Sequence, residues 1–127
     1  MKKLIRNITM LVLGLLLTGL PATATTWNAD IHAGWLFGSW VPYASSGTGV
    51  SAPSGATVAW YAYTYGGSGS WASVSATAPG VYIDETVYDN ANDGGSQNMT
   101  SSGSVSVFLE TVASGSGSTG CGVTVAW

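Results

Sequence analysis

The residue types best suited to catalysis in this sequence are one histidine and the acids near it. His32 follows Asp30 by two positions, so on a β-strand both side chains lie on one face, and serines are plentiful. However, the Gly-x-Ser-x-Gly pattern of a nucleophile elbow is absent, and the adjacent acids Asp84 and Glu85 would point to opposite faces of a strand. Residues 25–127 also lack Lys and Arg, which stabilise anionic transition states. We therefore predict that the protein is not an enzyme and has no catalytic residues.

The acidic segment from Asp84 to Gly94 offers oxygen ligands of the kind that calcium prefers. An EF-hand loop beginning at Asp89 fails, because its third position is Ala91 and its twelfth is Thr100, where a bidentate Glu is required. Asx turns account for the same residues without a metal. We predict no cofactor, and we name Asp89 and Asp93 as the residues that a calcium ion would use.

Aromatic residues provide the most distinctive binding chemistry. Two β-rich runs, 56–65 and 71–78, flank a Gly/Ser loop at 66–70, which predicts a hairpin. With a five-residue loop, one face of the hairpin collects rings and hydroxyls, a flat surface for sugar rings or other apolar ligands. With a four-residue loop the pairing shifts by one residue, and the tyrosines become ordinary core. In the first register the predicted ligand-binding residues are Tyr61, Tyr63, Tyr65, Trp71 and Ser73.

Strands with a two-residue periodicity are expected to position these side chains. Apolar and polar residues alternate in 27–35, 56–65, 71–78, 81–88, 104–113 and 121–127. Residues 40–43 and 49–52 are predicted as edge strands or loops, and 90–96 as a turn-rich loop. The predicted fold class is all-β, a small antiparallel sandwich or barrel of about six to eight strands, preceded by a signal-peptide helix.

The first 24 residues have the pattern of a cleavable secretory signal peptide. All three basic residues lie in the first six positions, an apolar run follows from Ile8 to Leu20, and Ala24 ends a small-residue cleavage pattern. The apolar run is shorter than the ~20 residues that a transmembrane helix needs. We therefore predict secretion, to the extracellular space or the cell surface, and a single all-β domain over residues 25–127.

The charge of residues 25–127 restricts the classes of partner. All six acidic residues lie there and no Lys or Arg does, so we predict no binding to nucleic acid or, by charge, to anionic lipid. Cys121 is the only cysteine, so an internal disulfide is excluded. We predict a buried thiol on an alternating strand, the alternative being an intermolecular disulfide.

These features favour a secreted, non-catalytic binding or adhesion domain that uses an aromatic-rich β face, with a glycan or another cell-surface polymer as its ligand. One alternative is self-association as a structural subunit of an extracellular fibre or surface layer, because no Lys protects the strand edges. Another is a secreted β-type pore-forming toxin or bacteriocin, because the alternation ending at Trp127 resembles the last strand of an outer-membrane barrel. Prolines and glycines in 40–56 interrupt that series, which disfavours membrane insertion.

Overall fold

The structure, a computed structural model, describes residues 24–127, which form nine β-strands and no helix. The predicted all-β class is confirmed, whereas the predicted signal peptide lies outside the described residues except for its last residue. Within the described range, no helix has the length and hydropathy needed to cross a membrane. The strands are β1 (Thr26–Leu36), β2 (Ser39–Val41), β3 (Tyr43–Ala52), β4 (Thr57–Tyr65), β5 (Trp71–Ala78), β6 (Val81–Tyr88), β7 (Asn92–Asn98), β8 (Gly103–Val112) and β9 (Ser118–Ala126).

The nine strands form two antiparallel sheets. The five-stranded sheet has the order β2-β1-β9-β4-β7, and the four-stranded sheet has the order β3-β8-β5-β6. The sheets do not close into a barrel, so the sandwich is the correct one of the two predicted architectures, with nine strands rather than six to eight. Except at the β1–β2 and β5–β6 hairpins, each connection between strands crosses from one sheet to the other.

A single apolar core cluster lies between the sheets. Val58 of β4 and Val125 of β9 contribute to it from one side, and Val74 of β5 and Leu109 of β8 from the other; all four are fully buried. Because successive side chains of a strand point to opposite faces, each of these strands also presents a row of residues on its outer face. The outer faces of the two sheets are therefore the surfaces on which a ligand site is sought.

The predicted hairpin between residues 56–65 and 71–78 does not form, so that prediction was wrong. β4 pairs with β7 and β9, while β5 pairs with β6 and β8. Since a strand has only two hydrogen-bonding edges, no edge remains through which β4 and β5 can pair. Tyr65 lies opposite Ser118 and Trp71 lies opposite Val112, so neither of the two registers exists.

The prediction of a loop at residues 90–96 was also wrong, because most of this segment belongs to β7. β7 contains no apolar side chain and is exposed at every position. It is an edge strand held by β4, and Thr57 Oγ1 donates a hydrogen bond to Asn98 Oδ1 at 3.0 Å. Gln97 also joins the two sheets, since its side chain accepts from the Tyr82 N–H at 3.0 Å and donates to the Tyr82 carbonyl at 2.8 Å. A strand that buries neither face leaves no apolar periodicity in the sequence.

Candidate functional site

The five residues predicted to bind a ligand lie on opposite sides of the sandwich. Tyr61, Tyr63 and Tyr65 alternate with the buried residues of β4, so they lie on the outer face of the five-stranded sheet. Trp71 and Ser73 alternate with the buried residues of β5, so they lie on the outer face of the four-stranded sheet. The alternation within each strand is as predicted, but the single shared face is not.

A row of three aromatic residues and one valine crosses the outer face of the four-stranded sheet. Cross-strand pairing places Tyr43, Val112, Trp71 and Tyr88 side by side on β3, β8, β5 and β6, and we call these four residues the aromatic row. Tyr43 and Tyr88 are 49% and 62% exposed, and Trp71 is half-buried. With neighbouring strands ~4.8 Å apart, the row is ~14 Å long and extends from one edge of the sheet to the other.

Polar side chains lie directly beside the aromatic row. The same register aligns Ser45, Glu110, Ser73 and Thr86 one step along the strands, and we call these four residues the polar line. The Tyr43 hydroxyl donates a hydrogen bond to Glu110 Oε1 at 2.8 Å, and Thr86 Oγ1 donates to Ser73 Oγ at 3.1 Å. The face therefore combines exposed ring surface with hydroxyl and carboxylate groups that can bind a ligand's own hydroxyls.

The opposite outer face carries the three tyrosines of β4, which we call the tyrosine ladder. The rings of Tyr61 and Tyr63 are parallel within 10° with centroids 6.4 Å apart, and the centroids of Tyr63 and Tyr65 are 5.3 Å apart. Beside the ladder on β9, Gly122 lies opposite Tyr61 and Gly120 opposite Tyr63. A Cβ added at Gly122 would approach Tyr61 Cε1 to 2.7 Å, so the missing side chains let these rings lean over β9.

His32 joins this face from the other side of β9. Its Nδ1 lies 3.1 Å from the Tyr63 hydroxyl oxygen, and its Nε2 lies 3.1 Å from Asp30 Oδ2. In the neutral imidazole, Nε2–H donates to Asp30 and Nδ1 accepts from the tyrosine hydroxyl. Burial raises the pKa of Tyr63 above its ordinary value, although a side-chain hydrogen bond with Ser118 acts in the opposite direction. Asp30 and His32 share a face as predicted. The hydroxyl next to His32 Nδ1, however, belongs to Tyr63 and not to a serine, as a Ser/His/Asp arrangement would require.

The two outer faces differ in how much ring surface they offer to a ligand. Among residues 24–127, seven large hydrophobic side chains are exposed; four lie on the outer face of the four-stranded sheet and one, Tyr65, on the tyrosine ladder. No protein-family model matches this chain, and no curated protein matches it either. The choice between the two faces therefore rests on their geometry, and the larger number of exposed rings favours the face that carries the aromatic row as the candidate site. The four exposed residues on that face are Tyr43, Tyr82, Tyr88 and Phe108.

The sequence pattern indicated Trp71 and Ser73 of this face but not their neighbours. Tyr88 ends an alternating segment and follows the buried Val87, so its outward position was predictable from the sequence. Its alignment with Trp71 was not, because that depends on the pairing of β5 with β6. Tyr43 follows Pro42 at the start of β3. The glycines and serines of residues 45–49 interrupt the alternation of this strand, so the sequence indicated only the short segments 40–43 and 49–52.

The acids named as calcium ligands contact backbone groups. Asp89 Oδ1 accepts a hydrogen bond from the Gly69 N–H, and Asp93 Oδ1 accepts one from the Gly94 N–H, each at 2.8 Å. Within the described range, no group of three or more His, Cys, Asp or Glu side chains is arranged to hold a metal ion. Asp89 therefore has a clear structural role, which is to hold the loop that links β4 to β5.

Cys121 is buried, as predicted. Its thiol donates to the carbonyl oxygen of Ser73 at 3.3 Å, and removal from water raises its pKa to about 11. A fully buried thiol is inaccessible to a second chain while the protein is folded, so the structure disfavours an intermolecular disulfide.

We expect the free energy of unfolding to fall as the pH rises from about 9 to about 11. The folded pKa of Cys121, about 11, exceeds its ordinary value of 9.0, so the unfolded chain loses this proton first. The stability contribution is fully present below pH 9.0 and is lost as the pH approaches 11, by at most ~2.7 kcal/mol. Urea denaturation across this range measures the loss, and Cys121→Ala should leave only the smaller slope that groups such as Tyr63 produce. Equal slopes in the two proteins would contradict this account.

Proposed function

We propose that the protein is a secreted, non-catalytic binding domain that holds an extracellular glycan or a similar polymer across the aromatic row. The observation that carries this proposal is the register that sets Tyr43, Trp71 and Tyr88 in one line across four strands. Exposed rings add little to the stability of the fold because they remain in contact with water. A contiguous apolar surface rimmed by polar groups is typical of an interaction site.

The chemistry of this face suits a neutral glycan. The C–H face of a sugar ring packs against an aromatic ring, while its hydroxyls exchange hydrogen bonds with Glu110, Ser73 and Thr86 of the polar line. Residues 25–127 carry six acids and neither Lys nor Arg, so an anionic polymer would be repelled. We therefore expect neutral polysaccharides to bind better than anionic ones.

The aromatic row is suited to a linear polymer because it is open at both ends. Tyr43 lies on β3 and Tyr88 on β6, and these strands are the two edges of the four-stranded sheet. A chain lying along the row therefore continues past the protein on either side.

Co-sedimentation of the purified protein with insoluble neutral polysaccharides tests the proposal, with anionic polysaccharides run in parallel. We expect retention on at least one neutral polymer and less on the anionic ones. Tyr43→Ala should reduce retention without lowering the melting temperature, since the side chain is half-exposed at a strand end. No retention across a broad panel by a folded protein would refute the proposal.

A second candidate function, self-association in a fibre or surface layer, is supported by β3. This edge strand is ten residues long, bonds to β8 alone, and contains neither a charged residue nor proline. Such an edge is a template for pairing with another chain. The opposite edge, β6, carries the exposed acids Asp84 and Glu85, which disfavour pairing there. Sedimentation velocity over a concentration series separates the two functions, because a fibre subunit grows into larger species while a binding domain stays monomeric.

A further inference from the structure

The end of the β1–β2 hairpin is apolar and lies beyond the part of β1 that pairs with β9. β1 pairs with β9 only as far as Ala33, and its last residues pair with β2 alone. Phe37 and Gly38 form the two-residue turn of this hairpin, and the rings of Trp35 and Trp40 lie 6.0 Å apart across it. Phe37 is 91% exposed and Trp35 is 66% exposed. We define the hairpin tip as Trp35, Leu36, Phe37 and Trp40.

The backbone at Phe37 is unfavourable for its side chain. Its φ is 53° and that of Gly38 is 82°, both positive as in a type I′ turn, where Asn, Asp or Gly is preferred at the first position. A bulky residue at positive φ costs stability, and a ring that remains almost fully exposed does not recover that cost by burial. An unfavourable conformation that presents a ring to solvent is typical of a contact site.

We propose that the hairpin tip docks the protein on lipid bilayers with neutral, zwitterionic headgroups by inserting its rings into the membrane–water interface. Tryptophan is enriched at that interface, and phenylalanine and leucine insert readily into its apolar side. The hairpin from Gly34 to Val41 contains no charged residue that would oppose insertion. Because residues 25–127 carry only acidic charges, anionic headgroups would repel the protein.

A second copy of the chain fits the tip less well than a bilayer does. Given 150–250 Å² for a whole aromatic side chain, the exposed parts of Trp35 and Phe37 amount to roughly 250–400 Å². A stable interface between proteins buries about 800 Å² on each partner. A bilayer requires no such area, since each inserted ring contributes on its own.

Vesicle flotation tests this proposal independently of polymer binding. The purified protein is floated with phosphatidylcholine vesicles and with vesicles that also contain phosphatidylserine. Phe37→Asn removes the ring and creates the Asn-Gly pair that type I′ turns prefer, so its melting temperature should equal or exceed that of the wild type. Its partitioning onto phosphatidylcholine should fall about tenfold. Phe108→Asn, which removes a 51% exposed ring from the outer face of the four-stranded sheet, is the matched control.

The proposal is supported if the wild type and Phe108→Asn float with phosphatidylcholine, less so with phosphatidylserine present, and Phe37→Asn floats about tenfold less than either. It is overturned if the wild type does not float, or if both variants lose binding equally. Dimerisation that Phe37→Asn abolishes, without flotation, would also overturn it and assign the tip to a second copy. Retention of Phe37→Asn on polysaccharide should match the wild type, so this proposal and the glycan proposal can fail separately.

Discussion

Gly67→Ala is expected to lower the free energy of unfolding by roughly 2 to 5 kcal/mol. Gly67 has a φ of 70°, a conformation that costs every residue with a Cβ. An added Cβ would also overlap the carbonyl oxygen of Ser114, which is backbone and cannot rotate away. Relief of the overlap requires the loops 66–70 and 113–117 to separate.

That separation is costly because buried Ser70 bonds the two loops together. Its hydroxyl donates to the Gly66 carbonyl at 3.3 Å and accepts from the Ser114 N–H at 3.0 Å. Separation of the loops breaks the second of these bonds, the one that spans them, and leaves the Ser114 N–H without that partner. Urea denaturation of the variant measures the total effect.

Gly55→Ala is the matched control, since Gly55 has a φ of 84° but no atom within 4 Å of an added Cβ. It should cost only about 1 kcal/mol, the contribution of the backbone conformation. Equal costs for the two variants would show that the contact between the loops does not determine stability.

Tyr88→Ala is expected to weaken polysaccharide binding about tenfold or more, the effect of removing one exposed ring from a small contact surface. Tyr88 lies in the aromatic row and is 62% exposed, so its loss should leave the fold intact. Isothermal titration with a soluble oligosaccharide of the retained polymer measures the change in affinity.

Tyr65→Ala provides a control with the same chemical change on the opposite face. Tyr65 is 57% exposed and lies on the tyrosine ladder, so the variant should bind like the wild type. If Tyr65→Ala weakens binding and Tyr88→Ala does not, the site belongs to the five-stranded sheet, and the aromatic row is not the ligand surface.

The side of each strand that faces the core was predictable from the sequence, because burial acts on each strand separately. Val58 and Ala62 of β4 alternate with outward tyrosines whether or not the strand pairs with β5. The same holds for Ala72 and Val74 of β5. The periodicity of two residues therefore identified outward aromatic residues correctly even where the predicted partner strand was wrong.

The pairing of strands was not predictable in the same way, because it depends on residues far apart in the chain. β4 lies beside β9, more than fifty residues later, and the glycines at 120 and 122 make room for Tyr61 and Tyr63 there. The Gly/Ser loop at 66–70 resembles a hairpin turn, yet it crosses between the sheets. For this reason the five predicted ligand-binding residues were expected on one face, whereas they lie on the outer faces of two different sheets.

Mapping of amide chemical-shift changes by NMR during titration with a neutral oligosaccharide tests the central claim most directly. The proposal predicts that the largest changes occur on the four-stranded sheet, around Tyr43, Trp71 and Tyr88, with little change around Tyr63 and His32. Changes concentrated on the five-stranded sheet, or none at saturating concentrations of an oligosaccharide from a polymer that retains the protein, would contradict it.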